Sequence, residues 1–271
     1  MDNQNMHIQE IGAKNGPTIV FLHGGGMSGW MWKKQLEYFN DYHCIVLDLP
    51  EHGKSSNDGP FSISDCARRI ADLIESKAHG KKAHVIGHSL GARILVELLT
   101  TRPNVIDHAV IASALFRPMP FMRLMHRPFI FYTLMTWLLW LSKLTNIMSL
   151  YLRAFQFPDA TYVENARADF PNFTSDRLYR IYDEVYRHLT LPKGLAEVPV
   201  PTLVIAGEKE SKAMRESFLD IVSIMPNAHA VFIKKADHYY PWSKHDTFNK
   251  LIRDFLDGKQ LISNTQIELL S

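Results

Sequence analysis

The segment Gly87-His88-Ser89-Leu90-Gly91 carries the sharpest chemical signal in the chain. It follows an apolar run and precedes a helical stripe that begins near Arg93, so the pattern G-x-S-x-G stands in a strand–turn–helix context. A serine nucleophile needs a tight turn that lifts its hydroxyl clear of the sheet, and glycines on both sides avoid collisions with the neighbouring strand and helix. The helix start also places a positive partial charge beside the reacting centre. We therefore predict that Ser89 is a nucleophile.

A serine hydroxyl is a weak nucleophile at neutral pH and requires a base that is oriented by an acid. Among the 13 histidines, His238 is the one that follows directly on a late strand-like run, Ala230–Ile233, and precedes an aromatic loop. Its position after a strand end favours it as the base. The preceding strand-like run ends at Ala206 and is followed by Glu208 and Glu210, which are both candidates for the acid.

A third segment, His23-Gly24-Gly25-Gly26, follows the apolar run Thr18–Leu22. Acyl transfer develops a negative charge on the carbonyl oxygen, and two backbone N–H groups aimed at that oxygen stabilise it. The predicted donors are Gly25 and Leu90, the residue after the nucleophile. The glycine run alone would fit a flexible turn, and because no Gly-Lys-Ser/Thr follows, it does not read as a phosphate loop.

Short apolar runs alternate with amphipathic stripes over most of the chain, which predicts a doubly wound, mostly parallel sheet with helices on both faces. Most runs are apolar throughout, as expected for strands that are buried on both faces. The predicted strands are His7–Ile11 at an edge, Thr18–Leu22, Cys44–Leu49, Ala83–Ile86, Ala109–Ala112, Thr202–Ala206 and Ala230–Ile233.

The alternation stops over residues 117–198, which contain no strand-like run. We predict a helical cap insertion there, and a core made of residues 1–116 and 199–271. Within the insertion, Phe129–Leu152 is nearly uncharged, with only Lys143 inside. A buried or pocket-lining helix pair is the favoured interpretation, a transient membrane-surface contact is the alternative, and a membrane-spanning helix is the least favoured.

The composition excludes several classes of protein. The 271 residues include 30 Lys and Arg against 28 Asp and Glu, a net charge of +2, so no large field favours a nucleic acid. Cys44 and Cys66 have no metal or C-x-x-C spacing and indicate reduced thiols in a reducing compartment, so a cytoplasmic location without a secretory signal is expected. The oligomeric state and the role of the tail 259–271 stay open.

Taken together, these motifs resemble the α/β-hydrolase superfamily. They are the glycine segment after the first buried strand, the segment Leu47-Asp48-Leu49-Pro50-Glu51-His52-Gly53-Lys54-Ser55, the G-x-S-x-G turn and Asp237-His238, and they span nearly the whole chain in order. The resemblance implies an eight-stranded sheet with a helical cap after the sixth strand. It also implies the order Ser, acid, His in the catalytic triad.

Two departures from the family pattern matter. Glu51 stands where the pattern D-x-P-G-H-G has its first glycine, while Asp48 is interpreted as structural. The family acid is usually Asp in a G-x-x-D context, and that register selects Glu210 over Glu208, with Asp237 as the weaker rival.

The sequence therefore predicts a serine hydrolase that cleaves a carboxylic ester or related acyl substrate through an acyl-enzyme, without a metal or an organic cofactor. The apolar cap predicts an apolar portion in a small-molecule substrate. Hydrolysis of a C–C bond, a lactone or a thioester by the same triad is an alternative. A ligand-sensing protein on the same fold is the alternative from another class.

Overall fold

The computed structural model of the protein describes residues 6–142, 155–225 and 227–270. Its centre is a single eight-stranded sheet. The strands are β1 (Ile8–Gly12), β2 (Thr18–Leu22), β3 (His43–Leu47), β4 (Ala83–His88), β5 (Ile106–Ala112), β6 (Thr202–Gly207), β7 (His229–Ile233) and β8 (Ile267–Leu270).

The strands lie in the order β1-β3-β2-β4-β5-β6-β7-β8. The six strands from β2 to β7 are parallel, and the two edge strands are antiparallel to their neighbours. Strands β2, β3, β4 and β6 are buried along their whole length, as their continuous apolar runs predict. The predicted doubly wound fold is confirmed.

Helices cover both faces of the sheet and make two hydrophobic cores. One face carries α2 (Ile63–Lys77), α3 (Leu90–Thr101) and a later helix, α8 (Lys212–Ile224), and the other carries α1 (Lys33–Tyr38) and α10 (His245–Leu256). Cys44 and Cys66 are free and buried, as expected, and burial raises the pKa of each thiol to about 12.

The expected position of the insertion in the strand order is wrong by one strand. The helices interrupt the sheet after the fifth strand, β5, rather than after the sixth. Within the described residues only β1 precedes β2, and the eighth strand comes from the tail instead. Strand β8 pairs with β7 in antiparallel register, with Ile267 opposite Ile233.

Four described α-helices and two short 3-10 helices occupy the insertion, and none of its described residues forms a strand. The α-helices are α4 (Met122–Met125), α5 (Pro128–Ser142), α6 (Ala160–Asp169) and α7 (Ser175–Arg187), which we call the inserted helices. The chain then returns to β6, and a short helix α9 (Tyr240–Ser243) follows β7. The limits 117 and 198 stay a prediction.

Helix α5 corrects the interpretation of the apolar run. Between residues 128 and 141 only Phe131 is buried, and it packs on Tyr179 and Tyr182 of α7 at ring distances of 5.2 and 5.3 Å. The favoured prediction of a buried helix is therefore wrong for residues 129–141, whereas its pocket-lining alternative stays a prediction and residues 143–152 lie outside the described part. No helix in the described ranges is long and apolar enough to cross a membrane.

Candidate active site

Ser89 lies between β4 and α3 in a backbone conformation that L-residues rarely adopt, with φ +53° and ψ −109°. Close packing enforces this turn. A Cβ on Gly91 would lie 2.2 Å from the carbonyl oxygen of Leu22, and a Cβ on Gly87 would lie 2.5 Å from the carbonyl oxygen of Gly91. The N–H of Ser89 donates to Ala112 at 2.8 Å. Such strain costs about 1–3 kcal/mol and is typical of functional sites.

The structure brings the predicted base and acid into direct contact. The Nδ1–H of His238 donates to Oε1 of Glu210 at 2.6 Å, and the other Glu210 oxygen accepts from the N–H of Gly207 at 3.3 Å. The Glu210 side chain is 0% exposed, whereas that of His238 is 34% exposed. The carboxylate therefore fixes the tautomer that carries its proton on Nδ1 and leaves Nε2 free to accept one.

The two rival acids are engaged elsewhere. Glu208 accepts from the backbone N–H of Lys235 at 2.6 Å. Asp237 accepts from the N–H of Tyr239 at 2.9 Å and from the Gln156 amide at 2.5 Å. Both carboxylates therefore shape the loop around His238 and do not orient its ring.

His88 joins the serine turn to the histidine loop. Its Nε2–H donates to the carbonyl oxygen of His238 at 3.0 Å, and the two rings lie 4.7 Å apart. Burial, and then the nearby His238, lower the pKa of His88 well below its ordinary value, so His88 stays neutral when its neighbour takes a proton. The Ser89 hydroxyl makes no hydrogen bond to any described residue, and such contacts often close only when a substrate binds.

The predicted oxyanion donors lie beside the serine. A Cβ on Gly24 would be 3.5 Å from the Cβ of Ser89, and one on Gly25 would be 3.6 Å from Cδ2 of Leu90. Within the described ranges, the N–H groups of Gly25 and Leu90 have no hydrogen-bond acceptor. Both donors are therefore available for an oxygen that gains charge next to Ser89.

His23 holds this glycine segment, a role that the sequence analysis did not assign. Its Nδ1–H donates to the Gly24 carbonyl at 2.8 Å, and its Nε2 accepts from the N–H of Leu49 at 2.8 Å. Burial lowers the pKa of His23 to about 4. These two hydrogen bonds require the neutral ring, so His23 holds the glycine segment at a fixed position relative to the loop after β3. The sequence signal that could have revealed this role is the position of His23 directly before the glycine run.

The loop after β3 explains the unusual glutamate. Asp48 accepts from the N–H groups of Gly29 and Lys54 at 2.8 and 2.9 Å, which confirms its structural role. Glu51 has φ +66°, a conformation that suits glycine, yet its carboxylate is buried and accepts from Nε of Arg180 on α7 at 2.7 Å. The residue thus ties the core to the inserted helices.

Aromatic rings surround the histidine loop. Tyr239 lies 6.2 Å from the His238 ring, 5.3 Å from Phe155 and 5.5 Å from Trp242. The Trp242 indole donates to the carbonyl oxygen of Phe155 at 2.7 Å, so the chain entering α6 is fixed to this loop. The half-buried faces of Tyr239 and Phe155 form an apolar surface beside His238.

A strained serine, a histidine held by a buried carboxylate and two unused backbone donors at one sheet edge can perform nucleophilic acyl chemistry. With the eight-stranded sheet, this arrangement defines the class of α/β hydrolases. The profile described as "Alpha/beta hydrolase family" matches residues 19–251. The chain belongs to this family and is a hydrolase.

Similar proteins cover nearly the whole chain. The AB hydrolase superfamily protein YfhM of Bacillus subtilis is 26% identical over 94% of this chain and 95% of its own length. A 2-hydroxy-6-oxononadienedioate/2-hydroxy-6-oxononatrienedioate hydrolase of Pseudomonas putida is 26% identical over 93% of this chain and 92% of its own length.

Solved structures share the fold at lower identity. A thermophilic esterase from Thermogutta terrifontis superposes with a TM-score of 0.72 at 18% identity and covers 93% of both chains. The enol-lactonase from Burkholderia xenovorans superposes with a TM-score of 0.69 at 20% identity, over 93% of this chain and 96% of that one.

Proposed function

We propose that the protein hydrolyses a carboxylic ester, or a related acyl compound with an apolar portion, through an acyl-enzyme on Ser89. The observation that carries this proposal is the 2.6 Å pairing of His238 with the buried Glu210 at the edge where the half-buried Ser89 stands on its strained turn. The two buried, unpaired cysteines support action in a reducing compartment such as the cytoplasm.

The reaction then proceeds in two halves. Ser89 Oγ attacks the acyl carbonyl while His238 Nε2 takes the hydroxyl proton, and the oxygen that gains charge is held by the N–H groups of Gly25 and Leu90. The tetrahedral intermediate expels the alcohol, which takes the proton from His238. Water then attacks the acyl-enzyme, again with His238 as base, and the carboxylic acid leaves as Ser89 Oγ takes the proton back from His238. Glu210 stabilises the charged imidazole in both halves.

The aromatic surface of Tyr239 and Phe155 beside His238 supports an apolar portion in the substrate. It takes the place of the α5 side chains that the sequence analysis assigned to this role. A series of nitrophenyl esters of increasing acyl length tests the point. We expect kcat/KM to rise beyond acetate by about tenfold for each two or so added methylenes, and a steady fall would contradict an apolar subsite.

Cleavage of a C–C bond or a lactone by the same triad is the second candidate. It is supported by the Pseudomonas putida relative, whose name describes a hydrolase of a 2-hydroxy-6-oxo diacid, and by the fold shared with an enol-lactonase. Comparison of kcat/KM on matched ester, thioester, lactone and β-diketone substrates ranks these reactions.

Labelling with a fluorophosphonate probe tests the nucleophile. The wild-type protein should react and Ser89→Ala should not, while Ser113→Ala serves as a control at a buried serine near the same edge. Labelling that persists in Ser89→Ala would remove the proposed nucleophile. A ligand sensor would label but release less than one equivalent of product from an ester, whereas an enzyme turns over many equivalents.

A further inference from the structure

An apolar surface lies on the first two inserted helices. Ten large hydrophobic side chains are exposed in the described residues, and seven of them lie between residues 121 and 140. Scattered apolar residues are normal on a protein surface, but a concentration of them on two consecutive helices indicates an interaction site. We call it the α4–α5 surface, made of Phe121, Leu124, Phe129, Leu134, Trp137, Leu138 and Trp140.

The exposure within this surface is large. Phe129 is 82% exposed, Trp140 61% and Trp137 57%. Helix α5 has apolar residues on every side, and it packs on α7 through Phe131 and through Tyr132, whose ring lies 5.2 Å from that of Tyr179. A helix that is apolar all round normally lies in a protein core or in lipid. Here the protein covers one side of it, so the other side needs a different apolar environment.

The charges around the surface identify that environment. Residues 108–158 contain no Asp or Glu, although they contain arginines and a lysine. Arg123 and Arg127 are exposed between the apolar side chains, and no acidic residue in the described ranges pairs with either. Exposed tryptophans with arginines at one end of an apolar helix are typical of segments that lie in the interface of an anionic bilayer.

We propose that the α4–α5 surface docks on an anionic lipid bilayer, with α5 lying in the plane of the interface. A protein partner would be expected to supply acidic groups to Arg123 and Arg127, and a second copy of this chain would bring the same arginines into apposition. Anionic lipid headgroups satisfy both arginines while the acyl region takes the aromatic side chains. This inference is independent of the proposed reaction.

Vesicle co-sedimentation tests this proposal. The full chain should bind vesicles of phosphatidylcholine mixed with phosphatidylglycerol, and it should bind pure phosphatidylcholine at least about tenfold more weakly. The triple variant Phe129→Ala/Trp137→Ala/Trp140→Ala should lose most of the binding, and Arg123→Gln/Arg127→Gln should lose the preference for the anionic lipid. Because these side chains are exposed, circular dichroism should show unchanged folding.

The matched control is Leu219→Ala/Ile262→Ala, which removes exposed apolar side chains elsewhere. It should bind vesicles as the wild type does, and so should Ser89→Ala, which separates docking from catalysis. Equal binding by the triple variant would overturn the proposal. It would also be overturned if the wild type ignored both vesicles and formed a dimer that the triple variant cannot form.

A second inference comes from the opposite end of β4. His84 in β4 and Asp107 and His108 in β5 bring their donor atoms within 4.8 Å of one another. Asp107 Oδ2 lies 3.3 Å from His84 Nδ1, and it accepts a hydrogen bond from His108 Nδ1 at 3.2 Å that a metal ion would replace. Ligand atoms about 2.0–2.1 Å from a tetrahedral zinc ion stand about 3.3 Å apart, so two edges of that tetrahedron are already formed.

The Nδ1 atom of His84 gives independent support, because it is fully buried and makes no hydrogen bond within the described residues. The residue is 7% exposed, and its Nδ1 faces the half-exposed Asp107 carboxylate. The geometry points to a Zn²⁺ site with these three ligands and a water as the fourth, reached from solvent past Asp107. Sequence analysis assigned no metal because the donors lie on two strands with no local spacing pattern.

Calorimetry with Zn²⁺ on the full chain tests this site, and Co²⁺ gives a visible spectrum that reports tetrahedral ligands. We expect one ion per chain and an affinity at least about tenfold lower in Asp107→Asn and in His108→Gln. Both side chains are partly exposed, so these variants should fold, and His229→Ala is the control at another exposed histidine. Unchanged Zn²⁺ affinity in both variants, or an octahedral Co²⁺ spectrum, would overturn the assignment.

Discussion

The sheet edge that carries Ser89 and the inserted helices beside it are built on different principles. At the edge, backbone atoms approach so closely that only glycine fits, as at Gly91 against Leu22. The inserted helices are joined to the core by a small set of polar side chains instead. One example is Asp169, which accepts from Ser28 Oγ at 2.6 Å and from the Trp30 indole at 2.7 Å.

Arg93 is a deeply buried attachment of this kind. It lies on α3 just after the serine turn and donates to the carbonyl oxygens of Leu115 and His188, which stand before and after the inserted helices. Burial lowers its pKa to about 10. A helix of the core thus holds both ends of the insertion through one charged side chain.

The sheet edge and the inserted helices therefore differ in how well they accept substitutions. A close-packed turn positions catalytic groups to within a fraction of an ångström and accepts almost no substitution. Polar attachments hold a segment in place yet leave its outer surface free to vary, so the inserted helices can change substrate or surface preference while the reacting groups stay fixed. Substitutions at Glu210 and His52 change the close-packed edge, and substitutions at Arg180 and Glu51 change a polar attachment.

The largest effect is expected from the acid. Glu210→Gln keeps the shape of the side chain but can neither fix the His238 tautomer nor stabilise its charge, so kcat should fall by about 10³–10⁴. Glu208→Gln is the matched control, because the Glu208 carboxylate accepts from the Lys235 backbone and not from His238, and its kcat should stay within about twofold. Ester-hydrolysis kinetics measure both values, and equal small losses would sink the assignment of Glu210.

The next largest effect is expected from His52, whose burial makes the free energy of unfolding depend on pH. Burial, and then the nearby His23, lower the pKa of His52 to about 3, whereas an unfolded histidine has a pKa of about 6.5. Between the two pKa values the unfolded chain is protonated at His52 and the folded chain is not. The contribution of the neutral, buried ring to the free energy of unfolding is therefore fully present above about pH 6.5 and is lost as the pH falls toward 3.

Replacing the ring removes this dependence. For His52→Leu, the free energy of unfolding should fall less steeply below about pH 6.5, by about 1.4 kcal/mol per pH unit relative to the wild type. Urea unfolding at several pH values measures the slope. Phe61→Leu, which alters packing 6.2 Å away without a titrating group, should keep the wild-type slope. A wild-type slope in His52→Leu would contradict the burial argument.

The sequence predicts the residues of the sheet edge because their signals lie within short segments of the chain. The G-x-S-x-G turn reflects contacts between the turn and strands on either side of it, and a three-residue register separated Glu210 from Glu208. The roles of His23 and His88 were out of reach, because a histidine tautomer depends on partners from distant segments, such as Leu49 for His23.

For the inserted helices and the tail, local sequence patterns do not predict burial or strand pairing. Helix α5 is apolar on all sides, so its sequence has no periodicity that tells a buried face from an exposed one. Strand β8 has only four residues, Ile267–Leu270, and its partner β7 lies more than thirty residues earlier. A short edge strand of this kind is defined by pairing and not by its own composition.

The smallest effect tests the attachment between Glu51 and the inserted helices. Arg180→Ala leaves a buried carboxylate without its cation, and because the Arg180 side chain is 42% exposed, the expected loss of unfolding free energy is only about 1–2 kcal/mol. Glu51→Gly removes that carboxylate and relieves the left-handed backbone. The double variant should therefore be more stable than Arg180→Ala alone, and urea unfolding of all three variants gives the coupling.

The control for this cycle lies on the same helix. Arg187 pairs with Asp183 and its side chain is 67% exposed, so Arg187→Ala should cost at most about 0.5 kcal/mol. If Arg180→Ala and Arg187→Ala proved equally mild, or the double variant were the least stable, the ion pair would not attach the inserted helices. A coupling of about 1 kcal/mol would instead explain why a glutamate persists at a backbone position that suits glycine.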